Sequence, residues 1–338
     1  MKAFVLDSYG KGRSLRLADL PDPVIASDEV LIDIHATTIN QLDGKIRDGA
    51  FKPILPYKPP LILGHDLAGI VVAVGADVRR FQIGDAVYAR PRDGHIGTFA
   101  QRIAVNEADL APKPDNVSMA EAASIPLVGL TAWQALIDRA GLKRGQKILI
   151  HAGSGGVGTI AIQLAKHLGA TVATTASAAN ADLVRSLGAD IVIDYRTQDF
   201  STLLSGYDLV LNSLDAKTLE KSLKVLKPGG KLISISGPPD PNFAKGQGLN
   251  PVLRLVMRLL SAGIRRKAKR VGVVYSFLFM HADGDQLSQL GELIEDGTIR
   301  PVVDRSYAFA ALNDAIIYVD SGRAKGKVVV TVQSEPAP

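Results

Sequence analysis

His151-Ala152-Gly153-Ser154-Gly155-Gly156-Val157-Gly158 is the stretch on which the reading of this 338-residue chain turns. Residues 153–158 fit the pattern G-x-G-x-x-G, a weak signal alone that gains meaning from its flanks. Before it, 147–151 is an apolar run of strand length. After it, 158–168 carries helical periodicity. In that setting each glycine has its own task. Gly153 permits a tight turn, Gly155 lets the backbone approach a pyrophosphate, and Gly158 lets the helix pack closely on the strand. Ser154, Gly156 and Val157 complete the turn. The helix N-terminus adds free N–H groups and the positive end of a dipole. A glycine-rich turn without a ligand is the bland alternative. Strand, turn and helix together speak for a dinucleotide.

Working outward, the order is strand, helix, strand, helix. Residues 171–175, 191–194, 209–212 and 231–236 read as strands, with helices at 178–187 and 217–226. Such alternation predicts a doubly wound parallel sheet of Rossmann type. Upstream, 119–140 has helical periodicity broken near Pro126 and Gly129. The first third differs. Residues 30–34 alternate apolar with acidic side chains, 69–74 are almost continuously apolar, and Gly, Pro and Asp punctuate short runs, which predicts a β-rich, barrel-like lobe. Strand-like segments return at 300–303 and 327–332 around a helix at 312–321, and 334–338 read as a frayed end. The fold class is α/β. The boundaries read are 1–122 for the first part of the β lobe, 123–270 for the dinucleotide domain, and 271–338 for the return to the lobe.

Composition narrows the function. The chain has 46% hydrophobic and 22% charged residues, the balance of a water-soluble globular protein. A net charge of +5 over this length is too weak to argue for nucleic acid. With no cysteine, disulfides, thiolate zinc sites and a cysteine nucleophile are excluded. The N-terminal apolar run is too short for a signal peptide and no stretch approaches the ~20 apolar residues needed to span a bilayer. The expectation is a cytoplasmic protein.

The choice of dinucleotide rests on the residues just after the second strand. An NAD site usually places an acid there for the ribose hydroxyls. Thr174-Thr175-Ala176-Ser177-Ala178-Ala179-Asn180 contains none. Thr175, Ser177 and Asn180 leave room for a 2′-phosphate and can hydrogen-bond to it, which favours NADPH. Tyr195 and Arg196, after the third strand, are the candidates to complete that pocket; the alternative for them is a plain surface turn.

Several further motifs carry a resemblance. They are Asn40-Gln41-Leu42-Asp43, Gly64-His65-Asp66-Leu67-Ala68-Gly69, Gly84-Asp85-Ala86-Val87, Gly97-Thr98-Phe99-Ala100, Gly129-Leu130-Thr131-Ala132, Lys227-Pro228-Gly229-Gly230 and Gly326-Lys327-Val328-Val329. Together, and in this order, they resemble a medium-chain dehydrogenase/reductase of the zinc-free quinone oxidoreductase branch. The resemblance implies a GroES-like catalytic domain built from both chain ends, a cofactor and substrate held in a cleft, and a homodimer. Zinc enzymes of that superfamily use a cysteine near Asn40 and a histidine at the position of His65. Here His65 stands without the cysteines, so no metal is expected and His65 is read as structural.

A metal-free site still serves hydride transfer to quinones or to the C=C bond of enones and enals, whose carbons need no strong activation. Negative charge then builds on the carbonyl oxygen, and a nearby donor stabilises it. Asn40-x-x-Asp43-x-Lys45-x-Arg47 is similar to enone and alkenal reductases and to chloroplast-envelope quinone oxidoreductase homologues. Lys45 is therefore the candidate donor, against the alternative of a solvated surface lysine. The resemblance places Asn40 and Thr131 at the nicotinamide and its ribose. Ser236, Gly237 and Lys327 join the candidate cofactor set. Phe277 and Phe279 are candidates for an apolar wall over the nicotinamide, or else ordinary core. A non-catalytic NADPH-binding protein of the same fold is the competing function.

Residues 252–270 stand apart. Leu253, Val256, Met257 and Leu260 share one face of a helix, followed by Arg265, Arg266, Lys267, Lys269 and Arg270. The readings are a lid over the cleft, a weak contact with an anionic membrane surface, or a solvated helix packed by one side. Nucleic-acid binding has only this cluster, without interleaved aromatics, and is set aside.

Overall fold

The computed structural model describes residues 1–52, 54–55 and 57–333. The frayed end read at 334–338 lies outside them. The chain forms two compact units, Met1–Leu130 with His281–Pro338, and Thr131–Met280.

The second unit is built on a six-stranded sheet. Its strands lie in the order Ile191–Asp194, Thr171–Ala176, Lys147–Ile150, Tyr207–Asn212, Leu226–Ser234, Val274–Phe277, and every pairing is parallel. Counted along the chain this is 3-2-1-4-5-6, the doubly wound order. The direction of winding reverses beside Lys147–Ile150, so the glycine turn leaves the central strand at the switch point. The core packs Leu149, Ala173, Val210 and Leu232 of these strands with Phe200, Leu219 and Leu223, all buried. The sixth strand, Val274–Phe277, is absent from the sequence reading. It is reached through a helical excursion at 241–270 rather than through a single crossover helix, which hides the strand–helix–strand rhythm. For the same reason the second unit continues to Met280, ten residues past the boundary read at 270.

The first unit is mostly antiparallel. Glu29–Ile39 is its longest strand, at 11 residues, and pairs with Leu67–Val74, Arg102–Asn106 and the late strand Lys327–Thr331. Within 30–34 burial alternates as a strand with one covered face requires: Val30, Ile32 and Ile34 are buried, Leu31 and Asp33 half-buried. These side chains meet Leu67, Val71, Val87, Ile103 and Leu110 in one apolar cluster. Both ends of the chain thus build this unit. Its N-terminal strand Lys2–Leu6 lies in a separate small antiparallel sheet with Arg16–Asp19 and Leu61–Ile62.

Candidate functional site

The turn at 153–158 has the form its sequence requires. A Cβ on Gly153 would stand 2.1 Å from Thr174 Oγ1, and one on Gly158 would stand 2.4 Å from the Ala152 carbonyl oxygen. Packing inside the unit therefore demands both glycines. Gly155 differs. A Cβ there would meet only the Ala152 carbonyl oxygen, at 3.3 Å. Apart from its neighbours in the chain, nothing else among the described residues comes within 4 Å of that position, on the residue that caps the helix Gly156–His167. That cap supplies no side-chain hydrogen bond. The first-turn N–H groups, which have no partner inside a helix, are left for an anion.

A buried network holds the turn from below. Ser222 Oγ donates to the Thr218 carbonyl oxygen at 2.8 Å, so the proton it shares with His151 comes from His151 Nε2–H, at 2.9 Å. His151 Nδ1 then accepts from Thr175 Oγ1 at 3.2 Å, and Thr175 Oγ1 accepts from the Ala152 N–H at 3.1 Å. Ala152 is the one described non-glycine residue at positive φ, +53°, and this bond fixes it there. Burial lowers the His151 imidazole from 6.5 to about 4, so it is neutral. The Thr175 hydroxyl is spent beneath the turn and buried. The structure gives it a supporting place rather than the cofactor contact expected of it.

Other residues gather at the strand ends. Ala176 and Asp194 are partners across the parallel pair, so Ser177 and Tyr195 follow one another along the same edge. Asn180 Nδ2 donates to Ser154 Oγ at 3.0 Å, tying this edge to the turn. Arg196 is exposed and places its guanidinium 5.9 Å from the Tyr195 ring centroid. Ser177, Asn180, Tyr195 and Arg196 are thus brought together. The strand expected to run to Ser236 ends at Ser234. Ser236 lies beyond it, accepting from Asn212 Nδ2 at 3.2 Å, next to Gly237 at φ +101°. Phe277 is buried and edge-on to Phe243 at 5.1 Å, which makes it core; Phe279 is half-buried beside the same ring. Thr131 is buried on the helix Pro126–Trp133.

In the first unit, sheet register creates a second constellation. Val328 pairs with Ile39 and Leu67 with Thr37, so the residues one step further, Lys327, Asn40, Asp66 and Thr38, meet at one edge. Asp66 is fully buried. Its Oδ2 accepts from Thr38 Oγ1 at 2.6 Å, Asn40 Nδ2 at 2.8 Å and Lys327 Nζ at 3.0 Å, and its Oδ1 accepts from the Leu127 N–H at 2.7 Å. Lys327 Nζ also donates to Asn40 Oδ1 at 2.5 Å. Partners of opposite character on its two ends fix the orientation of the Asn40 amide. Burial alone would raise the Asp66 carboxyl. Only together do the Lys327 ammonium and the donors Asn40, Thr38 and Leu127 outweigh it and hold the group below its ordinary value.

Beside this cluster, Asp43 Oδ2 accepts from the Asn40 N–H at 2.8 Å and Asp43 Oδ1 lies 2.6 Å from His65 Nδ1. His65 Nε2 is buried without a hydrogen-bond partner. One orphaned nitrogen does not make a metal site: among the described residues no three His, Cys, Asp or Glu side chains converge to hold an ion. On the helix Gln41–Arg47, Asp43 and Arg47 are buried while Lys45 is exposed. Asn40 and Lys327 are therefore brought together, and Lys45 stands exposed on the helix that follows Asn40. Asp66, the hub, has no assigned role in the sequence reading. Its only signal there is its place beside His65 in a shared motif.

Residues 252–270 form two helices, Pro251–Leu260 and Ala262–Arg270. Of the face expected to pack, only Met257 is buried and Leu253 half-buried; Val256 and Leu260 are exposed. The first helix meets its unit along an edge of its apolar face, at Met257 beside the buried Ser261. Among the described residues no helix is long and apolar enough to cross a membrane.

Comparison with known proteins agrees with this architecture. The alcohol dehydrogenase GroES-like domain family matches residues 26–115 and the zinc-binding dehydrogenase family matches residues 187–330. A chloroplastic NADPH-dependent alkenal/one oxidoreductase of Arabidopsis thaliana is 37% identical, over 98% of this chain and 79% of its own length. The solved quinone oxidoreductase from Coxiella burnetii is 30% identical, with a TM-score of 0.86 over 98% of this chain and 99% of its own. The mitochondrial NAD(P)H oxidoreductase RTN4IP1 of Danio rerio is 34% identical, over 99% of this chain and 92% of its own length. Likeness of that extent is common descent, and this chain belongs to the medium-chain dehydrogenase/reductase superfamily.

Proposed function

We propose that the chain is a zinc-independent oxidoreductase that uses NADPH to deliver hydride to quinones or to the C=C bond of α,β-unsaturated carbonyls. The observation that carries this reading is the room at Gly155 above an uncapped helix N-terminus. The names of the relatives, an alkenal/one oxidoreductase that depends on NADPH and a quinone oxidoreductase, supply the chemistry. When bound, the nicotinamide supplies a hydride.

The chain's own residues supply binding and orientation. The first-turn backbone N–H groups at 156–158 hold the pyrophosphate. Ser177, Asn180, Tyr195 and Arg196 take the 2′-phosphate, with the exposed Arg196 as the cation and no acid within 174–180. Lys45, exposed and with a side chain that has no hydrogen-bond or ion-pair partner among the described residues, offers its ammonium to the oxygen on which charge builds. The same reading includes a homodimer, supported by the open outer edge of Val274–Phe277 with Val274 exposed. It also includes a cytoplasmic setting, supported by a cysteine-free composition suited to a reducing compartment.

Two experiments test the reading. In the first, Gly155→Ala weakens NADPH binding about tenfold or more while leaving stability within about 1 kcal/mol, because its Cβ meets a single neighbour, the Ala152 carbonyl oxygen at 3.3 Å, which a shift of a few tenths of an ångström relieves. Fluorescence titration and urea denaturation measure the two effects, and unimpaired binding removes the turn from the cofactor site. In the second, NADPH oxidation is followed with a panel of enals, enones and quinones. Turnover is expected, and Lys45→Ala lowers kcat roughly a hundredfold with NADPH affinity unchanged. NADPH binding without turnover on any acceptor selects the non-catalytic alternative, and undiminished turnover in Lys45→Ala releases that residue from the mechanism.

A further inference from the structure

The helix Pro251–Leu260 presents an apolar stripe to solvent. Val252 is 71% exposed, Leu255 55%, Val256 40%, Leu259 66% and Leu260 59%. At 3.6 residues per turn these five cover an arc of about 140°. Arg258 borders it on the side away from Met257 and Arg254 lies opposite its centre, both exposed. The buried Ser261 joins this helix directly to Ala262–Arg270. There Ala268 is buried and Ile264 packs on the core, while Arg265, Arg266, Lys267, Lys269 and Arg270 are all exposed. Of those five, Lys267 alone has an ion-pair partner among the described residues, Glu220 at 2.6 Å.

Charge across the segment is one-sided. Residues 241–282 contain eight Lys or Arg and no Asp or Glu, against +5 for the whole chain. The rest of the molecule is therefore slightly acidic, and its positive field is concentrated here. An apolar stripe continuous with a cationic helix matches the interface of an anionic bilayer, acyl boundary beneath and phosphate headgroups above. A second copy of the chain fits poorly, since apposing two such stripes brings two sets of like charges together. Nucleic acid leaves the five apolar side chains in water.

We propose that these two helices dock the chain on an anionic lipid surface, lying in the plane of the interface. This goes beyond the reductase reading and does not depend on it.

Flotation with phosphatidylcholine vesicles, with and without phosphatidylserine, tests the docking at low ionic strength. The parent chain is expected to float with the anionic vesicles only and to be released by salt. Each cation near the surface is worth roughly fivefold in partition. The quadruple variant Arg265→Gln, Arg266→Gln, Lys269→Gln, Arg270→Gln should therefore lose binding by roughly several hundredfold. Leu255→Gln with Leu259→Gln should lose it by roughly tenfold or more. Far-UV circular dichroism and the thermal transition of Trp133 fluorescence confirm that both variants fold. The proposal is overturned by no flotation at low salt, by equal flotation with neutral vesicles, or by an undiminished leucine variant. It is equally overturned if, without lipid, the leucine variant dissociates an oligomer that the parent forms, which would assign the stripe to a second copy.

Discussion

Lys327→Met is expected to destabilise the first unit by about 3–5 kcal/mol, the cost of leaving one partner of a buried ion pair uncompensated. The side chain of Lys327 is 6% exposed and that of Asp66 0%. Without the ammonium, Asp66 keeps donors from Asn40, Thr38 and Leu127 but no countercharge. Asn40 also loses the cation that holds its carbonyl oxygen, so the amide is free to turn. Removing both charges should be milder: Lys327→Met with Asp66→Asn keeps hydrogen-bonding capacity and buries no charge. A double-mutant cycle in urea, followed by far-UV circular dichroism, should give a coupling energy of roughly 2 kcal/mol or more. A single variant within about 1 kcal/mol of the parent would show that the pair is not the keystone of this edge.

The second large effect is a pH dependence centred on His151. Its value falls from 6.5 in the unfolded chain to about 4 in the fold, mainly through burial. The fold therefore favours the neutral ring. Stability from this residue is complete above pH 6.5 and is lost as the pH falls toward 4, where the unfolded chain binds a proton that the fold resists. The loss by pH 4 is about 3 kcal/mol. The carboxylates of the second unit with lowered values, Asp190, Asp199, Asp208 and Asp215, start from 3.8, so their contribution disappears below this window. Trp133, the chain's one tryptophan, lies in the same unit as His151. Urea midpoints by its fluorescence should drop between pH 7 and pH 4.5 in the parent and stay nearly level in His151→Gln. Equal losses in both would place the acid sensitivity elsewhere.

Local pattern carried much of this into the sequence. The turn at 153–158, the strands beside it and the acid-free segment 174–180 are properties of neighbouring residues, and each appears where it was expected. What escaped is non-local. Asp66 and Lys327 are 261 residues apart, and only the register of three strands brings them together. Thr175 looked like a ligand because its residue type suits a phosphate; its direction, inward beneath Ala152, depends on His151 and Ser222. The strand Val274–Phe277 was hidden by the helical excursion before it. Apolar periodicity in 251–260 reports that a face exists, and tertiary packing decides which edge of it is covered.

The pairing of Lys327–Thr331 with residues 36–39 also sets an order of assembly. The second unit is an insertion whose sheet is complete once residue 277 has been made. The first unit must wait for residue 331. At typical synthesis rates of 5–20 residues per second, the roughly 200 residues between Leu130 and Thr331 take on the order of 10–40 s. During that interval the end of its longest strand has an unfilled edge, and Asp66 has no ammonium beside it. An open strand edge of that kind invites pairing with other chains, so the nascent first unit is the part of this molecule that most needs shielding by a chaperone.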